Sequence, residues 1–263
     1  MGNHPRIESR NDASFITTRS RNSELWFINN PELEHASLGY VAKFAQRYGV
    51  VLYAFAIEGS HNHTPALFPN ANRADFMRDL NSCIARAVAR HTPEYPGGSF
   101  WGRRYSSEIL PSPEDIKEQF FYTVLQPVQD GLAPTISQYP GYNCFHDAVW
   151  GIKRKFTVIN WAKYNAAKRK NPKVRIKDYT EIVTLEYARL PGYEHLSQKE
   201  YAKLMHQELE KRRVRIVEER IKSGKGFANP ESLKLTPRGY RPKHTKTSDI
   251  NSHRPRVLSR CPE

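Results

Sequence analysis

The sequence predicts an α+β fold: a four-stranded antiparallel sheet carrying helices, followed by a basic, mainly helical extension. Three observations predict it. Apolar or β-branched runs at 13–20, 50–57, 61–68 and 100–110 read as strands, and segments 33–48 and 74–91 repeat apolar residues at helical spacing. Their order is strand, helix, strand, strand, helix, strand, the split-βαβ or ferredoxin-like arrangement. Charge then divides the chain: residues 1–150 hold 13 Lys/Arg against 15 Asp/Glu, while residues 151–263 hold 28 against 12.

Residues 1–12 are polar and expected to be flexible. The first strand, 13–20, mixes β-branched and aromatic residues. Helix 33–48 sets Leu38, Val41, Phe44, Ala45 and Tyr48 on one face and stops at Gly49, a residue suited to the left-handed turn that closes a helix. Residues 50–57 are almost wholly apolar, which predicts a central strand. A turn at Gly59-Ser60 leads into the third strand. Helix 74–91 carries Phe76, Leu80, Ile84, Ala87 and Val88 and is ended by a Pro/Gly loop at 93–98. Residues 100–110 complete the sheet, with Tyr105, Ser107 and Ile109 sharing a face.

A third helix starts at Ser112, which is followed by proline and two acids, as helix N-termini favour. Ile116, Phe120 and Val124 form its apolar row. Nearly opposite run Gln119, Tyr122, Gln126 and Gln129, with Pro127 expected to kink or end the helix beside Gln126. A lone tyrosine among amides is unusual for a stripe facing solvent. Between 136 and 180, aromatics interleave with basic runs, a pattern that suits stacking on nucleic acid and a small core of its own equally well. Ser197 and Glu200 form a capping box opening a long charged helix to about Ser223. From Gly224 onward apolar periodicity stops, which predicts a disordered basic tail over 224–263.

Three scattered cysteines, none in a CxxC pair, exclude a disulfide framework and a cysteine zinc site. No stretch approaches the ~18 apolar residues of a membrane span, and the N-terminus lacks the apolar segment of a signal peptide. A cytoplasmic protein without membrane contact is expected. The positive excess of the second half points to a polyanionic partner, nucleic acid first.

His61 and His63 lie two apart on a predicted strand, so both project from one face and can share one metal ion. His61-Asn62-His63 after a strand and turn resembles the His-hydrophobe-His element of the HUH nucleases. Tyr122, standing five residues before Pro127 in Gln-Pro-Val-Gln-Asp-Gly-Leu, resembles the tyrosine of that family's single-tyrosine branch, the REP-associated and insertion-sequence transposases. The resemblance covers roughly residues 13–135. It implies that His61, His63 and Gln126 bind Mg²⁺ or Mn²⁺ and that Tyr122 is the nucleophile. The substrate would be single-stranded or hairpin DNA, handled in a bacterial cytoplasm at the nucleoid by a monomer or homodimer. Segment 13–135 would then be the catalytic domain, and Arg103 and Arg104 are candidate phosphate contacts.

Two departures stand out. Asn62 occupies the hydrophobe's place, and its side chain would project onto the opposite face, where a buried amide must find partners or cost about 1–3 kcal/mol. Gln126-Pro127 replaces an Asn-Pro pair, which keeps an amide oxygen with one more methylene of reach. Two other functions fit part of the pattern: a DNA-hairpin-binding protein that has lost catalysis, and a basic RNA-binding protein. The latter accounts for the charge but not for the histidine pair or the tyrosine.

Overall fold

The computed structural model describes residues 7–242. Strand β1 (Ala13–Arg19) is followed by helix α1 (Pro31–Tyr48), capped by the Asn30 side chain and closed by Gly49 at φ 64°. Next come β2 (Val51–Leu52), β3 (Ala56–Glu58), β4 (His61–Leu67), helix α2 (Arg73–His91) and β5 (Ser106–Leu110). The sheet runs β2-β4-β1-β5, with β3 also paired to β4 and every pairing antiparallel. Counting β2 and β3 as one interrupted strand, this is the ferredoxin-like order read from the sequence.

Two strand expectations need correction. Residues 50–57 form the sheet's edge, not its centre, and are interrupted at 53–55. They are nonetheless buried, because later parts of the chain cover that edge: the Ala188 amide donates to the Leu52 carbonyl (2.7 Å), and the Phe55 amide donates to the Cys144 thiol sulfur (3.3 Å). A continuous apolar run reports burial, and here burial comes from the cover. The fourth strand starts at Ser106, since Gly102 crosses close over the backbone of Ser20 and Arg21 and residues 102–104 bend away exposed.

Helices α1 and α2 pack together on one face of the sheet, where Arg73 donates to the Ser14 hydroxyl (2.8 Å). Helix α3 (Pro113–Val124), capped by Ser112, packs on the other face. Proline 127 has the expected effect: α3 stops at Val124, and a short helix α4 (Gln126–Gln129) resumes after Leu125.

The segment 136–223, expected to be mainly helical, also contains a two-stranded antiparallel sheet. Helix α5 (Phe145–Trp150) precedes β6 (Arg154–Ile159), α6 (Trp161–Lys170) and β7 (Thr180–Leu185), with β6 and β7 paired antiparallel against α1. Phe156, Val158, Val183 and Leu185 join the same core cluster as the sheet. The capping box at Ser197 is present and opens α7 (Gln198–Lys222). Among the described residues no helix is long and apolar enough to cross a membrane.

The tail reading is corrected over 224–242, where helix α8 (Pro230–Leu235) forms and Leu25 and Tyr240 make a β-bridge. Asn29 donates to the carbonyls of Leu233, Lys234 and Thr236, and Arg238 donates back to the Asn29 carbonyl. The order is imposed by distant partners, which the tail's own composition does not reveal. Residues 243–263 lie outside the described residues, as do 1–6. Residues 7 and 8, placed in the flexible N-terminus by sequence, are tied to α2 through the Ile7 carbonyl and the Glu8 carboxylate.

Candidate active site

The site lies between β4 and α3. The tight turn at Gly59-Ser60 pairs Glu58 with His61 and Ala56 with His63, while β1 pairs Arg19 with His61 and Thr17 with His63. Paired residues share a face, so Glu58, His61, His63, Thr17, Arg19 and Phe15 project together toward α3. The imidazoles lie 4.8 Å apart, centroid to centroid. Phe15 stacks on His63 (5.3 Å, planes 4° apart), and Tyr122 meets both rings edge-on, 5.6 Å from His63 and 5.7 Å from Phe15. Two histidines and a tyrosine some sixty residues apart in sequence therefore converge within one chain.

The histidines present one nitrogen each to the site. Nδ1 of His63 is 3.1 Å from the Thr17 hydroxyl, and Nδ1 of His61 is 3.3 Å from the Ser60 hydroxyl. A hydroxyl can accept from Nδ1–H, which leaves Nε2 with a bare lone pair, the form that binds metals. Both Nε2 atoms are buried without a protein partner, and so are Gln126 Oε1 and Glu58 Oε1. Native interiors seldom leave such atoms unpaired. Four such atoms on residues grouped around Tyr122 and the histidine pair, three of them on the residues that the sequence marks for metal binding, fit a bound cation.

Glu58, His61 and Asp130 each offer a donor atom within 4.8 Å of the other two. Imidazole, carboxylate and amide oxygen, with no thiolate among them, suit a divalent cation.

Burial governs the protonation of these groups. It pushes Glu58 well above the ordinary carboxylate range, with Asp130 adding to the rise and Arg19 opposing it. Burial also holds His61 well below its usual range and lowers His63 to about 3, and the positive charge of Arg19 acts in the same direction. Both imidazoles are therefore neutral at physiological pH. Burial raises the Tyr122 phenol, and so does Asp130; the Gln126 amide beside it favours the phenolate. Tyr122 remains 37% exposed, so the nucleophile candidate is reachable from outside.

No protein-family model matches the chain, and neither does any curated protein. Two solved structures resemble parts of it. One is a REP-associated tyrosine transposase bound to a REP hairpin (TM-score 0.47, 17% identity, 56% of this chain and 84% of that one). The other is a candidate transposase from Deinococcus radiodurans R1 (TM-score 0.33, 16% identity, 45% and 92%).

Gln119 and Gln126 are buried, so the amide stripe of α3 faces the sheet, not solvent. Arg103 and Arg104 stand exposed on the bend beside Arg19, whose carbonyl accepts from Gly102 (3.1 Å); the charge of Arg103 reaches Arg19. Sequence reasoning missed Glu58, Asp130, Arg19, Thr17 and Phe15. Only Glu58 had a local signal: a two-residue turn places residues 58 and 61 opposite each other. The β1 residues reach the site through long-range pairing, and Asp130 through the chain reversal after Pro127.

Asn62 is 1% exposed, and both its amide atoms lack protein partners, as do the hydroxyls of Thr18 and Thr64 beside it. The cost expected for that departure is thus visible on the helix-covered face.

Proposed function

We propose that this protein nicks and rejoins single-stranded DNA through a tyrosine nucleophile with a divalent cation, as transposition or the processing of hairpins requires. The observation that carries the reading is the phenol of Tyr122 edge-on to His63, among buried donor atoms that have no protein partner. His61, His63, Gln126, Glu58 and Asp130 would hold the cation. Bound there, it would supply positive charge to the phosphate under attack and to the departing oxygen.

The remaining steps belong to the chain's own groups. Tyr122 Oη attacks phosphorus and forms an O–P bond as the P–O3′ bond breaks. Its proton leaves by the exposed edge of the ring, and the 3′-oxygen takes one up. The products are a 5′-phosphotyrosine and a free 3′-hydroxyl. One ester replaces another, so a second 3′-hydroxyl can reverse the step and join new DNA without ATP. Arg19, close enough to act on the phenol's charge, favours the phenolate, and Phe15 fixes the His63 ring by stacking.

The test is to incubate the protein with end-labelled single-stranded and hairpin oligonucleotides and Mn²⁺, then look for label retained on denatured protein. The wild type should form the adduct. Tyr122→Phe should bind DNA equally well and form none. An adduct with Tyr122→Phe, or none with the wild type under any divalent cation, overturns the proposal.

A further inference from the structure

We propose that the cleft between α3 and α7 holds the phosphodiester backbone of the single strand that reaches Tyr122; the inference deepens the function proposed above and rests on it. The cleft has a volume of about 480 Å³, and its walls include Tyr122 and Glu118 on one side and Arg212, Arg215, Arg220 and Lys225 on the other. The exposed tyrosine is thus a wall of the cleft while its ring touches the histidine pocket. A strand lying in the cleft passes directly over the nucleophile.

The far wall is fixed, not merely adjacent. Arg212 forks onto both carboxylate oxygens of Glu118 (2.8 and 2.5 Å) and lies over the Phe121 ring (4.6 Å). Arg220 donates to the carbonyls of Gln129 (2.7 Å) and Gly226 (2.6 Å), and Arg213 to that of Pro134 (3.3 Å). These bonds tie α7 to α3, α4 and the loop that follows.

They also sort the cations by role. Arg212 is neutralised by Glu118. Arg220 binds neutral carbonyls, so its full charge remains beside the cleft. Among the described residues Arg215, with an 80% exposed side chain, pairs with the similarly exposed Glu219, which also lines the cleft, and Lys225 is exposed. Such solvated cations on one wall suit phosphate groups, and an exposed ring in the facing wall suits a neighbouring base. An acidic peptide would also match the charge, but it gives no reason for the exposed tyrosine to line the cleft.

The test uses the full chain in the Tyr122→Phe background, where only binding is read. Affinity for a single-stranded oligonucleotide is measured across a salt series for Arg215→Ala/Lys225→Ala and, as an equal charge change elsewhere, Lys170→Ala/Lys173→Ala on and just after α6. All four side chains are exposed, so folding is preserved. The cleft pair should lose about tenfold in affinity, and its salt slope should flatten by about 1.4, roughly 0.7 per lost phosphate contact on a single strand. The control pair should lose much less. Equal losses from both pairs, no loss from the cleft pair, or a loss seen only with an acidic peptide overturns the inference. With Tyr122 restored, adduct yield should fall at low DNA concentration and recover at saturation. If the wild type forms no adduct while the cleft pair still governs binding, the nicking reading fails and the groove stands.

Discussion

Replacing Glu58 by glutamine should remove the pH dependence of cation binding. The carboxyl is 3% exposed, 3.9 Å from His61 Nε2, and raised well above its ordinary range by burial with Asp130 next to it. In the ion-free protein it keeps its proton at pH values where a surface glutamate has lost it. A cation must displace that proton, so affinity should rise tenfold per pH unit, about 1.4 kcal/mol, until the pH passes the Glu58 pKa. The histidines add nothing at physiological pH, because burial holds His61 well below its usual range and His63 at about 3. Stability of the ion-free protein runs the opposite way. A raised carboxyl contributes fully below its unfolded pKa and loses that contribution as pH rises through its folded one, so Mn²⁺ should restore stability at the alkaline end. Mn²⁺ titration calorimetry between about pH 5 and 8, in two buffers of different ionisation enthalpy, reads both affinity and proton release. An affinity independent of pH in the wild type, or a slope that survives in Glu58→Gln, would refute the reasoning and return the titrating proton to the histidines.

Two further predictions concern stability. Asn62→Leu should raise the urea midpoint without changing the m-value, by about 1–3 kcal/mol, because it removes two buried amide atoms that have no protein partner; a loss of stability would show that the amide is satisfied. Gly131→Ala should cost about 1–2 kcal/mol and expose the end of α7 to protease: φ is 74°, and the added carbon would sit 1.9 Å from Arg220 Nη2, displacing the side chain that ties α7 to Gln129.

Most of the fold could be read because its signals are local. The Ser112 and Ser197 caps, the Gly49 stop and the break at Pro127 each depend on a few neighbouring residues, and each stands where the sequence placed it. Position within the sheet was harder. The run at 50–57 is equally apolar whether neighbouring strands or residues 144 and 188 cover it. The site divides in the same way. Spacing placed His61 and His63 on one face and put Tyr122 among amides. Arg19 and Thr17 face the histidines only because β1 pairs with β4 in one register among several that its composition permits. The ordered stretch 224–242 was invisible because its partners, Leu25 and Asn29, lie two hundred residues earlier.

The two sides of the active site are built to different tolerances. Residues 61–63 are stitched into the sheet on both flanks, by β1 on one side and β3 on the other, so the imidazoles ride on an anvil that local change cannot shift. The phenol sits on a helix that ends two residues later, at a joint where Leu125 (φ −93°, ψ 3°) hands the chain to α4. If the proposed reaction holds, substitutions that retune reach or alignment belong on that arm, and those meant to alter which strand is cut should leave the anvil alone.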